Sequence, residues 1–172
     1  MKPLLLVTLF MVLAAPPAAA EPRTLRWSRL AVTAHLDADG RLQVQEQHSI
    51  VFNGVWNGGE RVFRTSLENL LHLDRISRID EAGHVIPLRE DKSLSLVDDY
   101  TWSNSNAVRW RSRLPSDPPF QHREITYRLE YTDANILIPA DGSYLLDHNF
   151  GLPDLEWPID EYSVDLSLDP VW

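Results

Sequence analysis

An alternation of apolar and polar residues with a period of two constrains the fold of this chain more than any other feature of its sequence. It runs through residues 30–36, 42–52, 124–132 and 162–169. Because successive side chains of a strand point to opposite faces, each segment predicts a β-strand with one buried face. A helical spacing of apolar residues occurs at Ser66–Leu73, where it spans one short turn. The pattern therefore predicts an all-β chain.

Turn sequences separate these segments. Asp37–Gly40 and Asp80–Gly83 share the form Asp-x-x-Gly, in which the aspartate caps the turn and the glycine takes a positive φ, so both predict tight hairpins. Asp141–Gly142 is a third turn and Pro115–Pro119 a loop. Weaker strands are expected at 60–67, 71–80, 84–88, 93–97 and 108–114. Turns at about ten-residue spacing predict an antiparallel β-sandwich of roughly eight to ten strands.

The first twenty residues have the composition of a secretory signal peptide. A positive charge at Lys2 precedes an apolar run from Pro3 to Ala15, which is shorter than the ~20 residues that a membrane-spanning helix needs. Ala18 and Ala20 supply the small residues required three positions and one position before the cut. We expect cleavage after Ala20 and export to the cell envelope, into the periplasm or to the outer face of the cytoplasmic membrane.

The chain contains no cysteine. This excludes a disulfide framework, thiolate metal sites, cysteine nucleophiles and a lipid anchor attached to an N-terminal cysteine. An exported protein of this kind must rely on packing for its stability. We expect one domain at 30–172, preceded by the signal peptide at 1–20 and by a basic lead-in at 21–29 that contains three arginines.

The negative charge of the chain is unevenly distributed. The formal net charge is −9 and the pI is about 5.0. Nine acidic residues and no lysine or arginine lie between Asp133 and Trp172, so this last part carries almost the whole net charge. Nucleic-acid binding requires a basic face that displaces counterions from phosphates. We therefore expect no nucleic-acid partner.

Two ionisable residues, Glu46 and His48, fall on the otherwise apolar face of the predicted strand 42–52. On a strand, residues two apart lie side by side, so the two could act as an acid/base pair or as metal ligands. Alternatively, Glu46 pairs with an arginine such as Arg61 or Arg64, or it lies near a sheet end that water reaches. Burying a charge is costly unless it is paired, which favours the arginine pairing.

Acidic residues in the C-terminal loops suggest a second candidate site, because oxygen ligands from loops suit Ca²⁺. Their spacing fits no EF-hand, and a solvated acidic face is the simpler interpretation. The residues concerned are Asp141, Asp147, His148, Asn149, Asp154 and Glu156.

The chain has six tryptophans, which is many for its length. A row of exposed tryptophans on a β-sandwich would stack on sugar rings, and Trp102 and Trp110, expected in or near loops, are the best candidates. Packing in the core is the commoner role of this residue. The alternating arginines Arg109, Arg111 and Arg113 could form a phosphate-facing stripe, although the solvated face of an edge strand is the simpler interpretation.

No catalytic signature occurs in the chain: Gly-x-Ser-x-Gly, His-Glu-x-x-His, a Walker loop and Gly-x-Gly-x-x-Gly are all absent. The sequence therefore assigns no catalytic, cofactor-binding or metal-binding residue. We expect a protein that is not an enzyme and that has no cofactor.

The order of these features resembles a known family. After the leader and the first strand come a Val-x-Glu strand, a Phe-x-Gly step, an arginine-containing strand, an Asp-x-x-Gly hairpin, a Tyr-x-x-x-Tyr strand and a Trp-Pro-Ile close. These motifs stand at Val44–Glu46, Phe52–Gly54, Arg61–Leu67, Asp80–Gly83, Tyr127–Tyr131 and Trp157–Ile159. Over 30–172 the chain is similar to the N-terminal extracytoplasmic domain of the bacterial DUF2207 family, which comprises predicted membrane proteins of unknown function. It departs from the family at Leu146–Phe150, where an expected tryptophan is missing.

The resemblance implies a sandwich outside the membrane, followed by transmembrane helices and a cytoplasmic tail. Since this sequence stops at Trp172, it would be either a truncated member or a soluble relative made of this domain alone. We expect a non-enzymatic interaction or sensing domain, with a protein or glycan partner and membrane attachment through a C-terminal region absent from this chain. The alternatives are a carbohydrate-binding module that uses surface tryptophans and a Ca²⁺-dependent adhesin or hydrolase that uses the acidic loops.

Overall fold

The computed structural model describes residues 22–64, 70–152 and 155–172, and in these ranges the chain forms twelve β-strands and no helix. The predicted all-β sandwich is confirmed. The strand count exceeds the expected eight to ten because several strands are very short. The strands are β1 (Thr24–Leu36), β2 (Leu42–Gly54), β3 (Gly58–Val62), β4 (Leu70–Ile79), β5 (Val85–Pro87), β6 (Arg89–Glu90), β7 (Asp99–Asn104), β8 (Ala107–Arg111), β9 (Phe120–Ala134), β10 (Leu137–Ala140), β11 (Ser143–Leu146) and β12 (Tyr162–Leu168).

The strands form two packed sheets and a separate hairpin. The large sheet has six strands in the order β12-β1-β2-β9-β4-β5, and its pairs are antiparallel except for β1 with β12, which are parallel. The small sheet has four strands in the order β3-β8-β7-β6. Strands β10 and β11 pair with each other as the hairpin.

The core lies between the sheets and is built mainly from β1, β2 and β9. Their inward side chains alternate along each strand as the sequence predicts, and Ile50 on β2 and Leu129 on β9 are almost completely buried. Burying a side chain of this size stabilises the fold by about 1.5–3 kcal/mol. The other buried residues of this face are Leu30, Val32, Ala34, Leu36, Leu42, Val44, Phe52, Tyr127 and Tyr131.

Both predicted Asp-x-x-Gly hairpins are confirmed. In the first, Oδ1 of Asp37 accepts hydrogen bonds from the N–H groups of Asp39 (3.0 Å) and Arg41 (2.9 Å), and Gly40 has φ = 76°. The second hairpin repeats this arrangement at Asp80, with Gly83 at φ = 85°. Each aspartate satisfies the donors of its own turn, and the left-handed position needs glycine.

The first strand begins earlier than expected. β1 starts at Thr24, so Arg26 and Arg29 belong to the strand and not to a lead-in. The reason is burial: Leu25 and Trp27 flank Arg26 and lie in the core, and an irregularity of the strand between Trp27 and Arg29 places Arg29 on the outer side. The two arginines form ion pairs on the outer side, Arg26 with Asp160 and Arg29 with Glu161.

The predicted strand at 93–97 is wrong, and the chain makes a turn there before β7 begins at Asp99. Oδ1 of Asp91 accepts the N–H of Ser93 (2.8 Å), and Leu94 takes a positive φ of 48°, which breaks an extended strand. The expected signal peptide and part of the helical turn at 66–73 lie outside the described residues. In the part of the chain that the structure describes, no apolar helix has the length needed to span a membrane.

The alternation of β12 predicts a buried face, and this prediction is wrong. All seven residues of Tyr162–Leu168 are exposed. β12 is the edge strand of the large sheet, and no described part of the small sheet covers it. The apolar side chains of β12 therefore lie on the same side of the large sheet as the core, but they lie beyond the area that the small sheet covers.

Candidate functional site

A buried ion pair joins the two sheets. Glu46 on β2 and Arg61 on β3 point toward each other, and both side chains are at most 2% exposed. Nε of Arg61 donates to Oε2 of Glu46 at 2.8 Å, and the terminal nitrogen donates to Oε1 at 2.7 Å. The expected pairing of Glu46 with Arg61 is confirmed. Two parallel bonds of this kind are the strongest geometry for a carboxylate and a guanidinium.

His48 completes the environment of Glu46 and is fixed in one tautomer. The indole N–H of Trp27 donates to Nδ1 of His48 at 3.1 Å. Because an indole nitrogen can only donate, Nδ1 must carry a lone pair. The proton of the ring therefore sits on Nε2, which lies 2.8 Å from Oε2 of Glu46 and donates to it. This pattern assigns a neutral His48.

A fourth hydrogen bond to Glu46 comes from the hydroxyl of Tyr131, 2.9 Å from Oε1. Burial would raise the pKa of Glu46, but the charge of Arg61 and the hydrogen bonds of His48 and Arg61 outweigh it and hold the pKa far below its ordinary value. Burial and the charge of Glu46 raise the pKa of Tyr131. Glu46 is therefore an anion with all its hydrogen bonds satisfied.

The network continues to a second carboxylate. Since the hydroxyl proton of Tyr131 goes to Glu46, its oxygen accepts from Nε2 of His148 at 3.2 Å. Nδ1 of His148 lies 3.6 Å from Oδ2 of Asp133, whose side chain is 1% exposed. Neither carboxylate oxygen of Asp133 makes a hydrogen bond within the described residues. His148 thereby links the strand β9 to the segment that follows β11.

This buried network is unsuited to chemistry on an external substrate. Glu46 and His48 are 0% and 1% exposed, so neither an acid/base reaction nor a metal ion at this pair is accessible from solvent. The network instead fixes how the two sheets meet, since a charge left alone in the interior would be costly.

An open cleft with tryptophan walls lies beside the network. Its volume is about 550 Å³. The floor is apolar and buried, and its residues are Leu25, Trp27, Ile50, Phe52 and Trp110. The walls include two half-buried rings, Trp56 and Trp157, and the polar residues of the rim are Arg23, Asn57, Glu60, Arg109 and Arg111. A concave apolar site with a few polar groups at its rim is the usual form of a ligand pocket.

The two wall tryptophans are held at right angles. Their ring centroids are 5.8 Å apart and the ring planes meet at 83°. The N–H of Trp56 lies within hydrogen-bonding distance of the carbonyl oxygens of Thr24 (3.0 Å) and Asn53 (3.1 Å), which fixes its ring. The guanidinium of Arg23 sits 4.7 Å from the centre of the Trp56 ring, as in a cation–π contact.

A glycine at the edge of the small sheet leaves room for the floor of the cleft. A Cβ added at Gly59 would lie 2.7 Å from Cε2 of Trp110, closer than side chains approach each other. The indole of Trp110 therefore lies directly against the backbone of β3. Any larger residue at Gly59 would displace this ring.

The tryptophans singled out from the sequence are in strands, not loops. Trp110 lies on β8, is 2% exposed and packs against Tyr127 with ring centroids 5.2 Å apart, so its face is not available for stacking. Trp102 lies on β7 and is half-buried against Phe63. Trp56 and Trp157 are half-buried like Trp102, and Trp172 is 40% exposed. Sequence reasoning singled out none of Trp56, Trp157 and Trp172 as candidates.

The predicted arginine stripe is not the face of an edge strand. β8 lies inside the small sheet, between β3 and β7. Arg109 is exposed and pairs with Glu60 at 3.1 Å, whereas Arg111 donates to the carbonyl of Leu94 at 2.8 Å. Arg113 is buried and donates to the carbonyls of Trp56 and Asp117. Three arginines with three different environments do not form a phosphate-binding row.

The C-terminal acids do not converge within the part of the chain that the structure describes. No group of three or more histidine, aspartate or glutamate side chains there is placed to hold a metal ion. Asp154 lies outside the described residues, whereas Asp141, Asp147 and Glu156 are exposed. Their exposure agrees with the interpretation of these residues as a solvated acidic face.

Comparison with known proteins gives little. No family model and no curated protein matches the chain. Among solved structures, the chain is similar to the crystal structure of a putative protease from Parabacteroides distasonis, with 9% identity and a TM-score of 0.34 over 67% of this chain. The matched part spans 23% of the length of that protein.

Proposed function

We propose that this chain is a non-enzymatic binding domain of a cell-envelope protein, with an interaction or sensing role, and that its ligand occupies the tryptophan cleft. In this proposal the domain is exported and is attached to the membrane through a C-terminal region that this chain does not contain. The signal-like leader and the DUF2207-like order of motifs support this setting.

The observation that carries the proposal is the accessibility of Trp56 and Trp157 in the cleft. Both rings are half-buried, and Trp56 is fixed by hydrogen bonds to backbone carbonyls. Rigid aromatic walls bind a ligand at a low cost in conformational entropy. The cleft volume of about 550 Å³ lies within the range of small-molecule sites, ~300–1,000 Å³.

The distribution of ionisable groups supports a role without catalysis. The carboxylate with the most perturbed environment, Glu46, is enclosed and already accepts four hydrogen bonds. At the rim of the cleft, Glu60 is held by Arg109 and by the hydroxyl of Ser103. A general base must reach the proton that it abstracts, and the enclosed Glu46 cannot reach a bound ligand.

Fluorine NMR of the protein labelled with 5-fluorotryptophan tests this proposal, because six tryptophans give six assignable signals. The probes are soluble oligosaccharides of glucose and of N-acetylglucosamine and short peptides that contain tyrosine. We expect at least one probe to shift the signals of Trp56 and Trp157 saturably, with Trp102 unchanged, and Trp56→Ala to abolish the effect. Shifts confined to Trp102 or Trp172 would place binding elsewhere and reject the proposal.

A carbohydrate ligand is the second candidate, and the perpendicular arrangement of Trp56 and Trp157 favours it. A sugar ring can stack on one indole while its edge meets the other. In the same experiment, saturable shifts with the oligosaccharides alone support a carbohydrate-binding module. Shifts with the tyrosine peptides alone reject that candidate and retain a protein ligand.

A further inference from the structure

The edge strand β12 carries a regular row of exposed apolar side chains. Their exposed fractions are 48% for Tyr162, 42% for Val164, 42% for Leu166 and 51% for Leu168. Their neighbours on β1 are Leu30, Val32, Ala34 and Leu36, which are at most 3% exposed. The same apolar face is therefore covered at β1 and uncovered one strand further out.

The backbone of β12 is also open along its outer edge. At the two ends of the pair, the N–H of Leu30 donates to the carbonyl of Glu161, and the N–H of Asp169 donates to the carbonyl of Leu36, both at 2.8 Å. In a parallel pair such bonds come from alternate residues, so the odd-numbered residues of β12 bind β1. The N–H and C=O groups of the even-numbered residues point away from β1, where no described strand pairs with them.

The opposite face of β12 carries a charge. Ser163, Asp165 and Ser167 alternate with the apolar row, and Asp165 is exposed. No ion pair of Asp165 occurs among the described residues. The chain from Asp133 to Trp172 supplies no lysine or arginine that could neutralise it. This edge therefore offers open backbone groups, an apolar row and one carboxylate.

We propose that β12 accepts a β-strand of a partner polypeptide, with apolar residues on the inner face and a lysine or arginine opposite Asp165. Strand addition at a sheet edge draws its affinity from main-chain hydrogen bonds and its specificity from alternate side chains. Opposite charges across a strand pair stabilise it, and like charges destabilise it. The carboxylate thus selects a basic partner strand.

A second copy of this chain is a poor partner for the open edge of β12. When two β12 strands pair antiparallel over all seven residues, Asp165 stands opposite Asp165 of the other copy. The formal net charge of −9 adds a long-range repulsion between the copies. These charges favour a partner of different chemistry over self-association.

The probe is the peptide Val-Thr-Val-Lys-Val-Thr-Val, fluorescently labelled and displayed on a soluble carrier, and its binding is followed by anisotropy. Its symmetric sequence places the lysine opposite Asp165 in either strand direction. We expect saturable binding that weakens about fivefold when the peptide lysine is replaced by glutamate. Asp165→Lys should reverse this preference, whereas Asp147→Lys, an exposed site with the same change in charge, should leave it unchanged.

Val164→Pro removes an outward N–H while leaving the bonds to β1 in place, so it should abolish peptide binding. Should that variant fail to fold, the charge reversal at Asp165 decides alone. Absence of saturable binding, or equal affinity for the lysine and glutamate peptides, overturns the proposal. A dimer of the unmodified protein in light scattering that Val164→Pro converts to monomer also overturns it, because a second copy would then occupy the edge.

Discussion

The guanidinium of Arg61 binds the carboxylate of Glu46 through two hydrogen bonds across the interior of the sandwich. We expect Arg61→Met to lower the free energy of unfolding by about 3–5 kcal/mol, because it leaves Glu46 as an unpaired buried charge. Urea denaturation followed by tryptophan fluorescence measures this loss. The matched control is Arg109→Met, which breaks an exposed pair with Glu60 and should cost far less. If both variants lost a similar amount of unfolding free energy, burial of the Glu46–Arg61 pair would not explain its contribution to stability.

The stability of the protein should fall in acid because of Glu46. Its pKa is depressed in the fold, so the unfolded chain binds a proton more readily than the folded one. The contribution of Glu46 is therefore fully present above the ordinary value of 4.5 and is lost as the pH falls toward the lower folded pKa. Carbon NMR of the side-chain carboxyl should show Glu46 still ionised at about pH 3, where an ordinary glutamate is protonated. A protonated Glu46 at that pH in the folded protein would be incompatible with the network.

The tautomer of His48 is a direct consequence of Trp27. Long-range nitrogen–proton NMR spectra should show a protonated Nε2 and an unprotonated Nδ1, because the indole N–H donates to Nδ1 at 3.1 Å. Trp27→Phe keeps an aromatic ring but removes this donor, so the nitrogen chemical shift of Nδ1 should change. His35, a half-exposed histidine on the same strand as Trp27, serves as the internal control. A protonated Nδ1 in the unmodified protein would refute the assignment.

Gly59 should be intolerant of any side chain. Gly59→Ala introduces a Cβ about where the ring of Trp110 lies, so we expect a loss of about 1–3 kcal/mol through overpacking. The displaced indole should also narrow the cleft and weaken any ligand bound at Trp56. Gly151→Ala is the control, since the nearest atom to its Cβ is a side-chain oxygen of Asn149 at 3.2 Å. Equal thermal midpoints for the two variants would show that Trp110 moves without cost.

The Asp80 hairpin offers a local test of the turn chemistry. Oδ1 of Asp80 accepts two backbone N–H groups, and its other oxygen meets Nδ1 of His84 at 2.9 Å. Asp80→Ala removes these acceptors, so amide exchange at Ala82 and His84 should accelerate while exchange at the Asp37 hairpin stays the same. Unchanged exchange at His84 would mean that the glycine alone holds the turn.

The sequence predicts local features of this fold well, because they depend on neighbouring residues. The alternation around Ile50 identifies an inward face, and the Asp-x-x-Gly pattern at Asp37 identifies a hairpin. Alternation shows which side chains share a face, but it does not show whether another sheet covers that face. This is why Leu30 and Leu166 belong to equally regular patterns and only Leu30 is buried.

The candidate site was harder to predict because its parts are distant in sequence. Trp56 and Trp157 come together through the packing of a loop after β2 against the segment before β12. No local pattern links two residues that are about a hundred positions apart. The partner of Glu46 could be predicted from the sequence, because a buried carboxylate requires a cation and few arginines follow Glu46 closely in the chain.

The parallel pairing of β1 with β12 has a consequence for the order of folding. His35 and Ser167 lie across this pair, 3.0 Å apart between side-chain atoms and 132 residues apart in the chain. A polypeptide emerges from the ribosome with its N-terminus first, so β1 is complete long before its edge partner exists. Until the last strand is synthesised, the outer edge of β1 stays available to other extended chains. A chaperone bound to the unfinished chain would protect this edge from aggregation until β12 is synthesised.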